Sequence, residues 1–113
     1  MSRIEEFRRH REAMNERILQ TGNLETKRFF ALDTRTYEDG KLSEREKELC
    51  GLVSSLVLRC DDCITYHLLR CLEIGLDREQ LVEAMNVGMV VGGSITIPHI
   101  RRAHEVIDEA LAE

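Results

Sequence analysis

The 113-residue sequence has no tryptophan, one proline and only 4% aromatic residues. This scarcity leaves no obvious aromatic box for a flavin or a haem, so we expect no cofactor. Long apolar runs are also missing, because the most apolar segment, residues 87–91, contains Gly88 and precedes two more glycines. A membrane-spanning helix needs about 20 apolar residues, and residues 1–20 lack the apolar stretch of a signal peptide. We therefore expect a cytoplasmic protein.

The charge is acidic overall, with 16 basic and 21 acidic residues and a formal net charge of −5. Nonspecific binding to nucleic acids depends on neutralising phosphates with basic side chains. We therefore expect no nucleic-acid partner, and no membrane partner either. Hydrophobic residues make up 42% and charged residues 33%, which is typical of a globular protein with one core. At this length we expect a single domain over residues 1–113.

Apolar residues recur at helical spacing along most of the chain, which predicts an all-α fold of about six helices. Capping boxes, in which a serine or aspartate precedes a Glu or Gln by three residues, begin helices at Ser2, Ser43 and Asp77. The first of these helices should end at Gly22. The other three helices are predicted over residues 24–32, 60–75 and 97–111, with a loop over 33–42.

The segment Cys60-Asp61-Asp62-Cys63-Ile64-Thr65-Tyr66-His67 carries the chemistry. On a helix, Cys60, Cys63 and His67 would share one half-buried stripe. Residues three apart have Cα atoms roughly 5–5.5 Å apart, which suits a disulfide. A helix start favours a thiolate, and an imidazole four residues on can exchange its proton. Asp61 and Asp62 stabilise the helix start but disfavour the thiolate, which leaves the balance of these effects open.

Other roles for the cysteines are a metal site and simple core packing. Cys60 and Cys71 would lie about 16 Å apart along one helix, so they cannot share an ion. We therefore expect no metal, with a partial site completed by another chain or a distant histidine as the alternative. Cys50 and Cys71 are predicted core residues, and His99, at a helix start, is a weak candidate ligand. Four large residues are predicted to lie in the core or at a subunit interface: Phe29, Phe30, Met85 and Met89.

One spaced motif resembles that of a known family. In it, Glu48 is followed by eleven residues, Cys60, two residues, Cys63, three residues and His67. It is similar to the alkylhydroperoxidase D-like branch of the carboxymuconolactone decarboxylase superfamily. The resemblance covers about residues 24–112. It departs from the pattern at Asp62, where alkylhydroperoxidase D carries a histidine immediately before its second cysteine.

This resemblance implies a helical protein that assembles as a trimer or hexamer and acts as a peroxidase of the peroxiredoxin type. It implies that Cys63 attacks the peroxide and becomes a sulfenic acid, which Cys60 resolves as a disulfide after supplying a proton. It further implies that His67 and Glu48 relay protons, and that a dihydrolipoyl or thioredoxin-like protein reduces the pair. In one straight helix Glu48 would lie about 18 Å from Cys60, so the relay requires a turn near Arg59.

Three alternative functions stay open at this point. Cys60 and Cys63 could exchange disulfides with a partner protein instead of reducing peroxides. The protein could be a decarboxylase-like lyase in which His67 is the acid–base group and the cysteines are incidental. It could also be a non-enzymatic helical module that senses redox state through its disulfide.

Overall fold

Helices account for nearly all regular structure in the computed structural model, which describes residues 2–113. No β-strand occurs among these residues, so the predicted all-α fold with about six helices is confirmed. None of the described helices combines the length and the apolar character that crossing a membrane requires. The six α-helices are α1 (Arg3–Thr21), α2 (Leu24–Thr36), α3 (Glu44–Leu58), α4 (Asp61–Glu73), α5 (Arg78–Gly92) and α6 (Ile97–Ala112), and a 3-10 turn covers Ser94–Thr96.

Side-chain caps fix the helix starts where the sequence predicts them. At α3, the Ser43 hydroxyl accepts the backbone N–H of Glu46, whose carboxylate accepts the backbone N–H of Ser43. Asp77 and Gln80 form the same reciprocal pair at the start of α5. These two capping boxes satisfy backbone donors that have no partner inside the helix.

The chain forms two compact units, which divide after Glu38. The first unit contains α1 and α2. Helix α2 continues to Thr36 rather than ending at Leu32, and the hydroxyl of Thr36 donates to the carbonyl of Leu32 in its last turn. The predicted loop over 33–42 is therefore shorter than expected. Phe29 is 69% exposed, so it is not a core residue of this chain.

The second unit contains α3 to α6 and holds the main hydrophobic core. Helix α3 packs against α4 and α5, and α4 packs against α6. Gly88 of α5 faces α3 so closely that a Cβ added there would lie 2.8 Å from Cδ2 of Leu56. Glycine at this position therefore allows α3 and α5 to approach closely. Core side chains come from all four helices and include Leu52, Leu56, Leu68, Cys71, Leu81, Met85, Ala103 and Ile107.

A sharp turn reverses the chain between α3 and α4. Arg59 ends α3 in the left-handed conformation, with φ 59° and ψ 42°. Cys60 then returns to an extended conformation and caps α4. Because of this turn, α4 packs back against α3. The proton relay predicted from the sequence requires a turn near Arg59, and the structure contains this turn.

Candidate active site

Cys60 and Cys63 are joined as a disulfide at the start of α4. Their Cα atoms are 5.3 Å apart, as the spacing predicts. The Sγ of Cys60 also accepts the backbone N–H of Cys63 at 3.3 Å, so it acts as the helix cap. Cys60 is half-buried and Cys63 is exposed. Cys63 is more exposed than the predicted half-buried stripe, and Cys60 lies just before the helix as its cap.

A buried histidine–carboxylate pair lies on the inner side of α4. His67 and Glu48 are 8% and 2% exposed, and Nδ1 of His67 lies 2.7 Å from Oε1 of Glu48. An ionised carboxylate can only accept hydrogen bonds, so we assign the proton of this bond to Nδ1. The lone pair of the neutral ring is then on Nε2, the nitrogen that can accept a proton. The structure therefore brings together the two residues of the predicted relay.

Gly51 of α3 makes room for this imidazole. A Cβ added at Gly51 would lie 2.6 Å from Cε1 and 2.9 Å from both ring nitrogens of His67. Gly51 follows Glu48 by three residues, so both lie on the same face of α3. Sequence reasoning missed this residue. The available signal was an isolated glycine inside a helical pattern, which often has a packing reason.

A second histidine–carboxylate contact lies at the N-terminal end of α4. Nδ1 of His99 is 2.7 Å from Oδ1 of Asp61, and the guanidinium of Arg102 donates to Oδ2 of Asp61 at 2.9 Å. Both partners come from α6, 38 and 41 residues along the chain from Asp61. From its position at a helix start, His99 was only a weak ligand candidate. The cluster of Asp61, His99 and Arg102 was not predicted.

The other two cysteines differ strongly in their environment. Cys71 is fully buried in the core, as predicted, and burial raises the pKa of its thiol to about 12, with the negative charge of Glu48 as the second cause. Cys50 is exposed, so its prediction as a core residue is wrong. An unreactive thiol at Cys71 and an accessible one at Cys50 are therefore expected.

Two further features lie apart from these contacts. An open groove of about 440 Å³ runs between α3 and α5, and none of the predicted site residues lines it. The groove is lined by Leu49, Cys50, Val53, Ser54, Ala84 and Val87.

In residues 2–113, no three His, Cys, Asp or Glu side chains come together as a set that could hold a metal ion.

Comparison with known proteins identifies the family. Residues 24–105 match the sequence profile of the carboxymuconolactone decarboxylase family. The chain belongs to this family. A protein encoded in the cox locus of Paracoccus denitrificans is 31% identical over 81 residues, which cover 72% of this chain and 73% of that protein.

Solved structures of other carboxymuconolactone decarboxylase family proteins share the fold. A Thermotoga maritima family member, for which involvement in an antioxidative response is suggested, is 52% identical with a TM-score of 0.88. The match covers 92% of this chain and 88% of that one. A Legionella pneumophila family protein has a TM-score of 0.87 over 97% of this chain and 98% of its own, at 19% identity, which shows the fold alone. The predicted family resemblance is thus confirmed.

Proposed function

We propose that the protein is a thiol peroxidase in which Cys60 and Cys63 reduce peroxides and His67 and Glu48 relay protons. The observation that carries this proposal is the buried 2.7 Å contact between His67 and Glu48, one helical turn beyond an accessible cysteine pair. A histidine held by a carboxylate in one tautomer is a suitable acid–base group. The antioxidative role suggested for the similar Thermotoga maritima protein supports the same chemistry.

The first step oxidises Cys63, the more exposed of the two cysteines. After His67 accepts the thiol proton, the Cys63 thiolate attacks one oxygen of the peroxide and the O–O bond breaks. The sulfur becomes a sulfenic acid, and the departing alkoxide or hydroxide takes the proton from His67 to form an alcohol or water. Glu48 stabilises the imidazolium that exists between these two transfers.

The second step forms the disulfide. Cys60 gives its thiol proton to His67, and the resulting thiolate attacks the sulfenic sulfur of Cys63 and expels hydroxide. The hydroxide takes that proton from His67 and leaves as water, and in the disulfide that forms the Sγ of Cys60 accepts the backbone N–H of Cys63. A Cα separation of 5.3 Å allows this bond to form with little movement of the backbone. A dithiol donor, of the dihydrolipoyl or thioredoxin-like type, then returns two electrons and two protons and becomes a disulfide itself.

The same proposal includes a homo-oligomer, a trimer or a hexamer as the resemblance implies. Helix α5 exposes several apolar side chains, with Val90 at 83% and Val91 at 70% exposure. Exposed apolar side chains that lie together favour association. Sedimentation velocity of the purified protein tests this part, and a monomer at all concentrations would contradict it.

The experiment that tests the peroxidase is stopped-flow oxidation of the reduced protein by hydrogen peroxide and by an organic hydroperoxide. We expect Cys63→Ser to abolish fast oxidation. Cys60→Ser should stop at a sulfenic acid, which a dimedone-type probe detects. Cys50→Ser is the matched control, because it removes an exposed thiol outside the motif, and it should oxidise at the wild-type rate.

Two results would contradict the proposal. One is oxidation of the wild-type pair no faster than that of free cysteine. The other is a variant with both Cys60→Ser and Cys63→Ser that retains turnover of the physiological substrate, which would instead favour lyase chemistry at His67.

A further inference from the structure

The start of α4 carries a polar cluster that the proposed peroxidase mechanism does not use. Asp61, the residue after Cys60, has both carboxylate oxygens bound by side chains of α6: His99 at 2.7 Å and Arg102 at 2.9 Å. His99 and Arg102 are three residues apart and therefore lie on one face of α6. The side chain of His99 is only 17% exposed, whereas those of Asp61 and Arg102 are 43% and 58% exposed.

The position of Asp61 creates an electrostatic conflict. A carboxylate in the first turn stabilises the helix, but a negative charge beside a thiol disfavours the thiolate. Arg102 contributes a guanidinium, which is a cation with hydrogen-bond donors only. Because the Asp61 carboxylate only accepts hydrogen bonds, Nδ1 of His99 must donate to it. The cluster therefore fixes the carboxylate against α6 and offsets its charge.

We propose that His99 and Arg102 are positioning residues that act through Asp61, so that the charge of Asp61 does not face the reactive cysteines unpaired. This inference rests on the proposed thiol chemistry of Cys60 and Cys63. Other charged or titratable groups act on the same dithiol from the elements around it. Asp62 lies beside Asp61 on α4, and the pair of His67 and Glu48 lies on the inner side, between α4 and α3.

The test measures alkylation of the reduced protein by iodoacetamide, resolved for each cysteine by mass spectrometry, over a range of pH. We expect Arg102→Gln to slow alkylation at Cys60 and Cys63 near neutral pH by about threefold, with the pH midpoint about half a unit higher, as expected of a partly exposed ion pair. Arg101→Gln is the matched control, because it removes the same charge from an exposed neighbour on α6. It should leave both values near those of the wild type.

A double-mutant cycle separates this role from a merely structural one. Asp61→Asn should alkylate at least as fast as the wild type, since it removes the anion. In the Asp61→Asn background, Arg102→Gln should then have no further effect. His99→Asn, which keeps a donor near the position of Nδ1, should retain the wild-type rate, whereas His99→Leu should slow alkylation.

The possible failures are distinguishable because alkylation does not require peroxidase turnover. If Arg102→Gln behaves like Arg101→Gln, or if Asp61→Asn slows alkylation as much as Arg102→Gln does, the inference is overturned while the peroxidase proposal stands. If the wild-type cysteines alkylate no faster than free cysteine, the proposed thiol chemistry itself fails. Circular dichroism of each variant verifies that the helices are intact.

Discussion

Glu48→Gln tests the buried relay most directly. The carboxylate of Glu48 is 2% exposed and contacts Nδ1 of His67 at 2.7 Å. Glutamine has nearly the same shape, and its amide oxygen can still accept the N–H of His67. The substitution therefore removes one negative charge from the site while it preserves packing and the hydrogen bond.

The expected loss follows from the charge of that hydrogen bond. A hydrogen bond to a charged group contributes about 1.5–3 kcal/mol, compared with about 0.5–1.5 kcal/mol for a neutral one. We therefore expect the His67 imidazolium to lose about 1–2 kcal/mol of stabilisation, which slows oxidation of Cys63 by about 5- to 30-fold. The free energy of unfolding should change by less than about 1 kcal/mol, because the variant no longer has to bury a charge.

Stopped-flow oxidation at about pH 7, with peroxide in excess, measures the rate, and urea unfolding measures the stability. Glu83→Gln is a suitable control, because Glu83 is an exposed glutamate in the interior of α5, away from its first turn. It should change neither quantity. A folded Glu48→Gln variant that oxidises within a factor of two of the wild-type rate would refute the relay, and Cys63 would then react without help from Glu48.

Four other tests address neighbouring features. Gly51→Ala would place a methyl group 2.6 Å from Cε1 of His67, so stopped-flow oxidation should slow by at least about 10-fold. In the native protein Cys50 should be alkylated and Cys71 should not. As pH rises from 9.0 towards about 12, the free energy of unfolding should fall, because the unfolded chain loses the Cys71 proton first. Arg59→Val should cost about 1–2 kcal/mol in urea unfolding, since a β-branched residue resists the left-handed conformation, whereas Arg59→Gly should not.

Local features of the fold were predictable because their causes are local. Ser43 with Glu46 and Asp77 with Gln80 each lie within one turn, so short spacing alone locates the starts of α3 and α5. The end of α2 was less predictable. Its last residues, which include Asp33 and Thr36, have weak helix propensity, yet the helix continues to Thr36, where the threonine hydroxyls donate to carbonyls one turn earlier.

Contacts between distant residues were predictable only in part. The spacing of Cys60 and Cys63 determines their separation on any helix start, but the pairing of Glu48 with His67 depends on how α4 folds back on α3. The family resemblance implied that pairing, and the turn at Arg59 permits it. Nothing in the sequence near Asp61 indicates a partner 38 residues away, and for this reason sequence reasoning missed its contact with His99.

The two histidine–carboxylate contacts lie in different dielectric environments, and this difference matches the two roles proposed for them. The side chains of Glu48 and His67 are 2% and 11% exposed, so their interaction is strong and salt screens it little. Asp61 and Arg102 are 43% and 58% exposed, so water and ions weaken their interaction. Proton transfer needs a tightly held base, whereas offsetting a surface charge needs only a modest attraction. The pair of Glu48 and His67 therefore suits the proposed proton transfer, and the cluster around Asp61 suits the proposed adjustment of the cysteine thiols.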